Sequence, residues 1–330
     1  MEKFKNNPLV KKIGYNRVIL IGVMLLIYVF FSVGSGRILG YADIMSALNY
    51  ACFLGFLTLG VTFVIGTGGI DFSIGPVMFA AALIGGRLLT KNGCPVIVAL
   101  LVCILVGTAF GIMNGFLVAY MELPSFISSM ALMMLAKGVG SVFTSTQTIK
   151  WPQLTDENGL GWYRNLIRWD AGNGVTIPVG LILLLITAVI CGIILNNTKA
   201  GRYILCLGSN KEAVRLSGVN VRIWQMLAYV LCGTLAGMAA IMYVGAYTTV
   251  QPGLGDTFNN EAIASCVMGG TSMSGGIASI SGSIIGVFIV SLLQVGILAM
   301  GFQKDYQYVI TGIIVILAVF ADVRSRRRAN

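Results

Sequence analysis

Ten runs of apolar residues, most of them close to twenty long, leave this chain few ways to fold. They cover residues 18–36, 46–66, 73–89, 95–120, 126–143, 175–195, 223–247, 261–273, 278–300 and 308–321. About twenty apolar residues in a helix match the roughly 30 Å of bilayer hydrocarbon. Only 10% of the 330 residues are charged, where soluble domains carry about 25%. The expected fold is an all-α polytopic membrane protein, one transmembrane domain over residues 1–330 with about ten helices. The eighth run is short and glycine-rich, which suits a half-helix or a re-entrant piece.

The net charge of +10 does not point to nucleic acid, because the basic residues flank apolar runs instead of gathering on one soluble face. With the N-terminus in the cytoplasm, 14 of the 22 Lys and Arg residues fall inside, in residues 3–17, 199–222 and 324–328. Both termini are therefore expected in the cytoplasm, with an even number of spans. Residues 1–17 read as a retained cytoplasmic leader, since no small-residue cleavage site follows the first apolar run. Histidine is absent, which excludes histidine triads, histidine metal ligands and imidazole proton relays. The seven cysteines form no Cys-x-x-Cys pair and five lie inside apolar runs. They read as packing residues, with neither a disulfide nor a metal implied.

One polar interruption separates the second and third runs: Thr67-Gly68-Gly69-Ile70-Asp71-Phe72-Ser73-Ile74-Gly75-Pro76. A carboxylate at bilayer depth costs roughly 2.5–3.5 kcal/mol on insertion scales, and backbone that leaves the helical path exposes groups that lipid cannot satisfy. Such a segment persists where protein or a water-filled path surrounds it, as in transporters built on broken helices. The plainer reading is a polar turn in which Asp71 caps the next helix. Gly68-Gly69-Ile70 recurs as Gly275-Gly276-Ile277, and Gly75 and Gly282 each follow seven residues after the first glycine. Internally repeated halves with matching breaks are expected from this echo. Gly111, Gly115, Gly233, Ala236 and Gly237 suit close helix packing.

Two loops exceed turn length. Residues 144–174 are expected outside the cell, with Trp151, Trp162 and Trp169 in the outer interface belt. Residues 197–222 are expected in the cytoplasm. There Ser209-Asn210-Lys211-Glu212 has capping-box spacing, Gly218 supplies a helix stop, and Ala213, Val214 and Leu216 offer a small apolar face. A short capped helix outside the membrane reads as a docking element.

Further motifs are Asn114-Gly115, Pro124-Ser125-Phe126-Ile127, Gly201-Arg202-Tyr203, the stretch from Leu207 to Val221, and Ala262-Ile263-Ala264 leading to Gly269-Gly270-Thr271-Ser272-Met273-Ser274. Together with the break they make the chain similar to the membrane permease subunits of bacterial ABC importers for monosaccharides, the ribose, xylose and galactose type. The resemblance runs from about residue 44 to 322. It implies a paired permease, most simply a homodimer, around a central path in the bacterial plasma membrane. It also implies two partners: a cytoplasmic ATPase and an extracytoplasmic sugar-binding protein. Residues 201–221 would dock in the ATPase, with Arg202, Ser209, Asn210, Glu212, Ala213, Arg215 and Gly218 as coupling residues. Candidate path residues are Asp71, Ser73, Asn114, Phe126, Thr271 and Ser274. Glu261 stands where relatives commonly carry aspartate, which moves its charge by one methylene.

The chain has no Gly-x-x-x-x-Gly-Lys-Ser/Thr loop, so ATP and Mg would be bound by the partner and no cofactor by this chain. It is not expected to be an enzyme, since it carries neither a paired acidic metal motif nor a nucleophile–base pair. Two alternatives stay open. One is a permease of the same type for a nucleoside or other small polar solute. The other is an ion-coupled secondary transporter using Asp71, Lys137 and Glu261.

Overall fold

The computed structural model describes residues 15–156, 159–172, 176–303, 305–313, 316 and 320. Residues 1–14 of the leader and the arginines at 324–328 lie outside this set, as does part of the tenth apolar run. The helices, in chain order, are α1 Tyr15–Gly34, α2 Tyr41–Gly66, α3 Ile74–Asn92, α4 Val96–Ala119, α5 Ser125–Phe143, α6 Val179–Asn197, α7 Lys199–Leu216, α8 Val221–Ala246, α9 Asp256–Met268 and α10 Ile280–Ala299. Residues 305–313 are also helical. All except α7, α9 and the 305–313 segment are long and apolar enough to cross a membrane. The protein is a multi-pass all-α membrane protein. The eighth run is indeed short, since α9 has 13 residues and rises only about 20 Å at 1.5 Å per residue.

Helix α2 lies at the centre. Every residue from Tyr50 to Gly66 is buried, as expected of a helix apolar on all sides. It packs against α8 and α10, and α8 packs in turn on α4. The α4–α8 contact follows the small-residue rule of membrane helices. A Cβ on Gly111 would sit 2.6 Å from Tyr229 O and 3.0 Å from Gly233 Cα, so only glycine allows this approach. The Thr108 and Thr234 hydroxyls meet across the same seam at 2.9 Å. Leu101, Leu105, Val142, Ile186 and Val189 are exposed outward, an apolar rim suited to lipid.

At the end of the bundle away from α7, two short ribbons and a 3₁₀ helix (Leu160–Leu166) close the structure. β1 Ile149–Lys150 pairs antiparallel with β4 Thr249–Val250, and β2 Trp169–Asp170 with β3 Thr176–Ile177. Trp151 departs from the expected interfacial position. It is buried, and its Nε1 donates to Ala82 O at 3.1 Å, so it plugs α3 from above. Trp162 and Trp169 are exposed. All seven cysteines are free, and only Cys94 and Cys206 are not buried.

Candidate translocation and coupling site

The first break lies between α2 and α3. Gly68 takes φ +80°, a left-handed conformation that glycine adopts without a Cβ clash. Thr67 Oγ1 donates to Val64 O at 2.7 Å, and Ile70 N donates to Ser125 Oγ at 3.2 Å, tying the break to the start of α5. Asp71 Oδ1 accepts both Ser73 N (2.8 Å) and Ser73 Oγ (2.6 Å). That is an Asx turn ahead of α3, not the expected helix cap, since Ser73 is the N-cap and makes no side-chain cap bond. Asn259 of α9 closes the other side: its Oδ1 accepts Gly75 N at 2.7 Å, and its Nδ2 donates to Phe72 O. Protein groups thus replace the water that lipid cannot supply.

The second break, between α9 and α10, repeats the left-handed first glycine of the first. Gly275 takes φ +78°, matching Gly68. Ser272 N donates to Ile277 O (2.9 Å), Gly275 N to Ser272 O (3.0 Å), and Ser279 N to Thr271 Oγ1 (3.1 Å). Ser279 Oγ then accepts Gly282 N at 3.2 Å and caps α10. The later glycines of the echo behave alike: a Cβ on Gly75 would collide with Gly255 O, and one on Gly282 with Gly269 O. The two breaks also touch, with Gly276 N donating to Gly66 O at 3.1 Å.

Helix α7 meets that junction. A Cβ on Gly208 would overlap Gly66 O and Gly276 N and approach Gly275 Cα to 2.9 Å, so α7 rests backbone to backbone on both breaks. Beyond Gly208 the helix is interrupted at Asn210 (φ −161°, ψ 95°). The cap differs from the expected Ser209–Glu212 box. Asn210 Oδ1 accepts Ala213 N at 2.9 Å, Ser209 Oγ donates back to Leu205 O at 3.2 Å, and Glu212 pairs with Arg215 at 2.6 Å. The Arg215 guanidinium holds the Glu212 carboxyl below its ordinary range and is itself raised. Gly218 at φ +79° ends the turn, as its sequence position suggested. Val214 is buried with Leu207 and Val221, while Leu216 is 76% exposed at the tip.

Residues 44–319 match the family described as branched-chain amino acid transport system / permease component. The chain belongs to this permease family. The permease is 33% identical over 268 residues to a ribose import permease of Escherichia coli K12, which covers 81% of each chain. It is 31% identical over 281 residues to the ribose import permease of Bacillus subtilis (85% of this chain, 84% of the relative). Its identity to a fructose import permease of Rhizobium meliloti is 29% over 311 residues (94% of this chain, 86% of the relative). No solved structure matches it.

In the permease, Asp71, Ser73, Asn114 and Thr271 are buried, whereas Phe126 and Ser274 are exposed. Asn114 Oδ1 accepts Ser128 Oγ at 2.7 Å, joining α4 to α5. Phe126 meets Phe72 edge to face, with centroids 5.7 Å apart. The void around Asp71, Ser73, Phe110 and Gly233 is about 10 Å³, about one water molecule and far too small for a sugar. Lys137 pairs with Asp256, and Glu261 is buried between Tyr50 OH and Gln307 Nε2 (2.9 Å to the latter). Sequence reasoning missed Asn259. Its Asn-Asn-Glu neighbourhood drew notice only for Glu261, and its partners lie 184 and 187 residues away.

Proposed function

We propose that this chain is the membrane permease subunit of an ATP-driven importer for a monosaccharide, powered by a separate cytoplasmic ATPase and fed by an extracytoplasmic binding protein. One observation carries the reading: Gly208 of α7 rests on both helix breaks at once, so a force on α7 reaches both. The tip beyond Asn210 docks in the ATPase, with Leu216 as its apolar point. Arg202, Ser209, Asn210, Glu212, Ala213, Arg215 and Gly218 surround the contact. Hydrolysis in the partner, which binds the ATP and Mg, moves the tip, and Gly208 passes the movement to the breaks. Two copies of the permease then rock between outward- and inward-facing states. Phe126 and Ser274 meet the passing solute, while Asp71, Ser73, Asn114 and Thr271 shape the path from behind.

The α7 end is assigned to the cytoplasm of a bacterial plasma membrane, with both termini on that side. Arg17, near the start of α1, lines one cavity with Asn196, Ser279 and Ser281, beside the start of α7 at Lys199, in keeping with the positive-inside rule. The family description names branched-chain amino acids, but the relatives at 29–33% identity are named ribose and fructose import permeases, which favours a sugar. Ion coupling is disfavoured because Asp71, Lys137 and Glu261 are engaged by separate partners.

The test is uptake into proteoliposomes holding the permease with its ATPase and binding protein. Labelled ribose or fructose is expected to accumulate only with ATP and both partners, whether or not the membrane potential is dissipated. Accumulation by this chain alone, or of leucine in place of both sugars, overturns the reading.

A further inference from the structure

A cavity of about 480 Å³ lies between α6 and the start of α10, and Arg17 of α1 completes its wall. Both α1 and α6 pack on α10, so the cavity is a groove left between two helices laid on a third. We propose that this groove holds an anionic phospholipid of the cytoplasmic leaflet. Its phosphate sits on Arg17 and the α10 N-terminus, and one acyl chain lies along α6. The choice of leaflet and the effect on transport rest on the importer reading above; the lipid site itself does not.

The wall changes chemistry along its length as a lipid does. At one end stand Arg17, Asn196, Ser279 and Ser281; from there Gly192, Val189, Ala188 and Leu185 follow α6 away from the polar end. The eleven residues from Leu185 to Asn196 cover about 16 Å of helix at 1.5 Å per residue. One leaflet of hydrocarbon is about 15 Å deep, half of the bilayer core. The polar end therefore falls at the water interface, and the apolar stretch has the reach of one acyl chain. Leu185 and Val189 are exposed, so the groove opens sideways to the bilayer. Ala188 and Gly192, one turn apart, keep the α6 side shallow, and a Cβ on Gly192 would meet nothing within 4 Å.

The polar end suits an anion. Among the described residues of the wall none is acidic. Arg17 is exposed, with a guanidinium whose planar fork matches a phosphate. Ser281 is exposed as well and offers a hydroxyl. Helix α10 begins here and has 20 residues, so its positive dipole end faces the same place. Lys199, exposed at the start of α7, adds a second cation at this end of α6. Basic pockets between transmembrane helices on the cytoplasmic side bind acidic headgroups. A free phosphate would leave the apolar part of the groove unfilled, whereas a phospholipid uses all of it. The site also bears on the second break. Ser279, in its wall, donates its backbone N–H to Thr271 Oγ1 and caps α10 through its hydroxyl. A bound headgroup steadies the corner from which α10 starts.

The experiment is native mass spectrometry of the full-length chain, loaded with phosphatidylglycerol or with phosphatidylcholine of the same chain length. Phosphatidylglycerol is expected to be retained preferentially, and inorganic phosphate is expected not to displace it. Arg17→Gln should lower that retention about fivefold, the effect of one basic residue near a membrane surface, and Arg17→Lys should keep most of it. Ser281→Asp puts an acid in the first turn of α10, where it favours the helix but repels a phosphate. It is expected to abolish the preference for phosphatidylglycerol without lowering the melting temperature. Gly192→Leu fills the groove, also with a better helix former, and should reduce retention of both lipids. Equal retention of the two lipids by the wild type, displacement by phosphate, or retention unchanged in Arg17→Gln, Ser281→Asp and Gly192→Leu alike would overturn the site. The groove would then belong to another occupant, such as a second copy of the chain. In proteoliposomes of the complete importer, uptake should rise severalfold when phosphatidylglycerol is added to phosphatidylcholine, and not in Ser281→Asp. Wild-type uptake indifferent to the lipid would overturn the link to the second break. An importer that moves no sugar in any vesicle would bring down the importer reading, while the mass spectra would still decide the lipid site.

Discussion

The two helix breaks share their glycine spacing and a left-handed first glycine, but they are held in different ways. The first is clamped from outside: Ser125 of α5 and Asn259 of α9 bind its backbone, and Asp71 turns the chain within it. The second closes largely on itself through Thr271, Ser272 and Ser279, and it leaves Ser274 and Ile277 exposed. The helices entering them differ as well. α2 has 26 residues and is buried through its last 17, whereas α9 has 13. A duplicated motif has thus become one fixed corner and one more open corner. Gly208 touches both, so on the proposed reading a push on α7 would be resisted at the first break and taken up at the second.

The largest expected effect is at that shared contact. Gly208→Leu places a side chain where the Gly66 and Gly276 backbones now lie. We expect about 3 kcal/mol of destabilisation, the upper end of the usual overpacking range, and complete loss of uptake, read from thermal unfolding in detergent and from the proteoliposome assay. Normal uptake by this variant would break the picture of one junction serving both corners. Asn259→Leu comes next. It orphans Gly75 N–H and Phe72 C=O, each worth about 1–3 kcal/mol, so the melting temperature should fall clearly. Thr271→Val removes the acceptor for one backbone N–H and is expected to cost about 1–2 kcal/mol. If Thr271→Val proves more damaging than Asn259→Leu, the assignment of fixed and open corners is reversed.

These contrasts mark where sequence stops being informative. The spans were legible because bilayer thickness leaves apolar runs little choice. The short eighth run was legible for the same reason, and so were the glycine echo, the close packing at Gly111 and Gly233, and the stop at Gly218. The cap on α7 was misread. Both Ser209 and Asn210 fit a cap, and the choice fell to Asn210 because Ser209 is still inside a helix and bonds back to Leu205. Trp151 was misplaced because a tryptophan in a loop between spans suits a membrane interface equally well, and only the fold brings Ala82 to its indole. Asn259 was missed for a related reason. Its significance lies in partners 184 and 187 residues away, and no local pattern encodes them.

At the α7 tip the expected effects on stability are smallest and those on assembly are specific. Leu216→Ser should leave unfolding unchanged, because the side chain is already exposed, but reduce ATPase co-purification by about threefold to tenfold, as for an apolar anchor in an interface. Unchanged co-purification would move the docking point elsewhere. Glu212→Gln is milder still, since exposed ion pairs contribute little to stability. Its pH dependence has a definite sign. Arg215 lowers the Glu212 pKa below the ordinary carboxylate value, so the pair is present above that range and is lost only as pH falls through the lowered value. Docking measured from pH 8 to pH 5 should therefore show no titration that Glu212→Gln abolishes. A transition in that window that disappears in Glu212→Gln would mean that the ATPase, on docking, strips Arg215 from the carboxylate and leaves it among groups that favour its protonation.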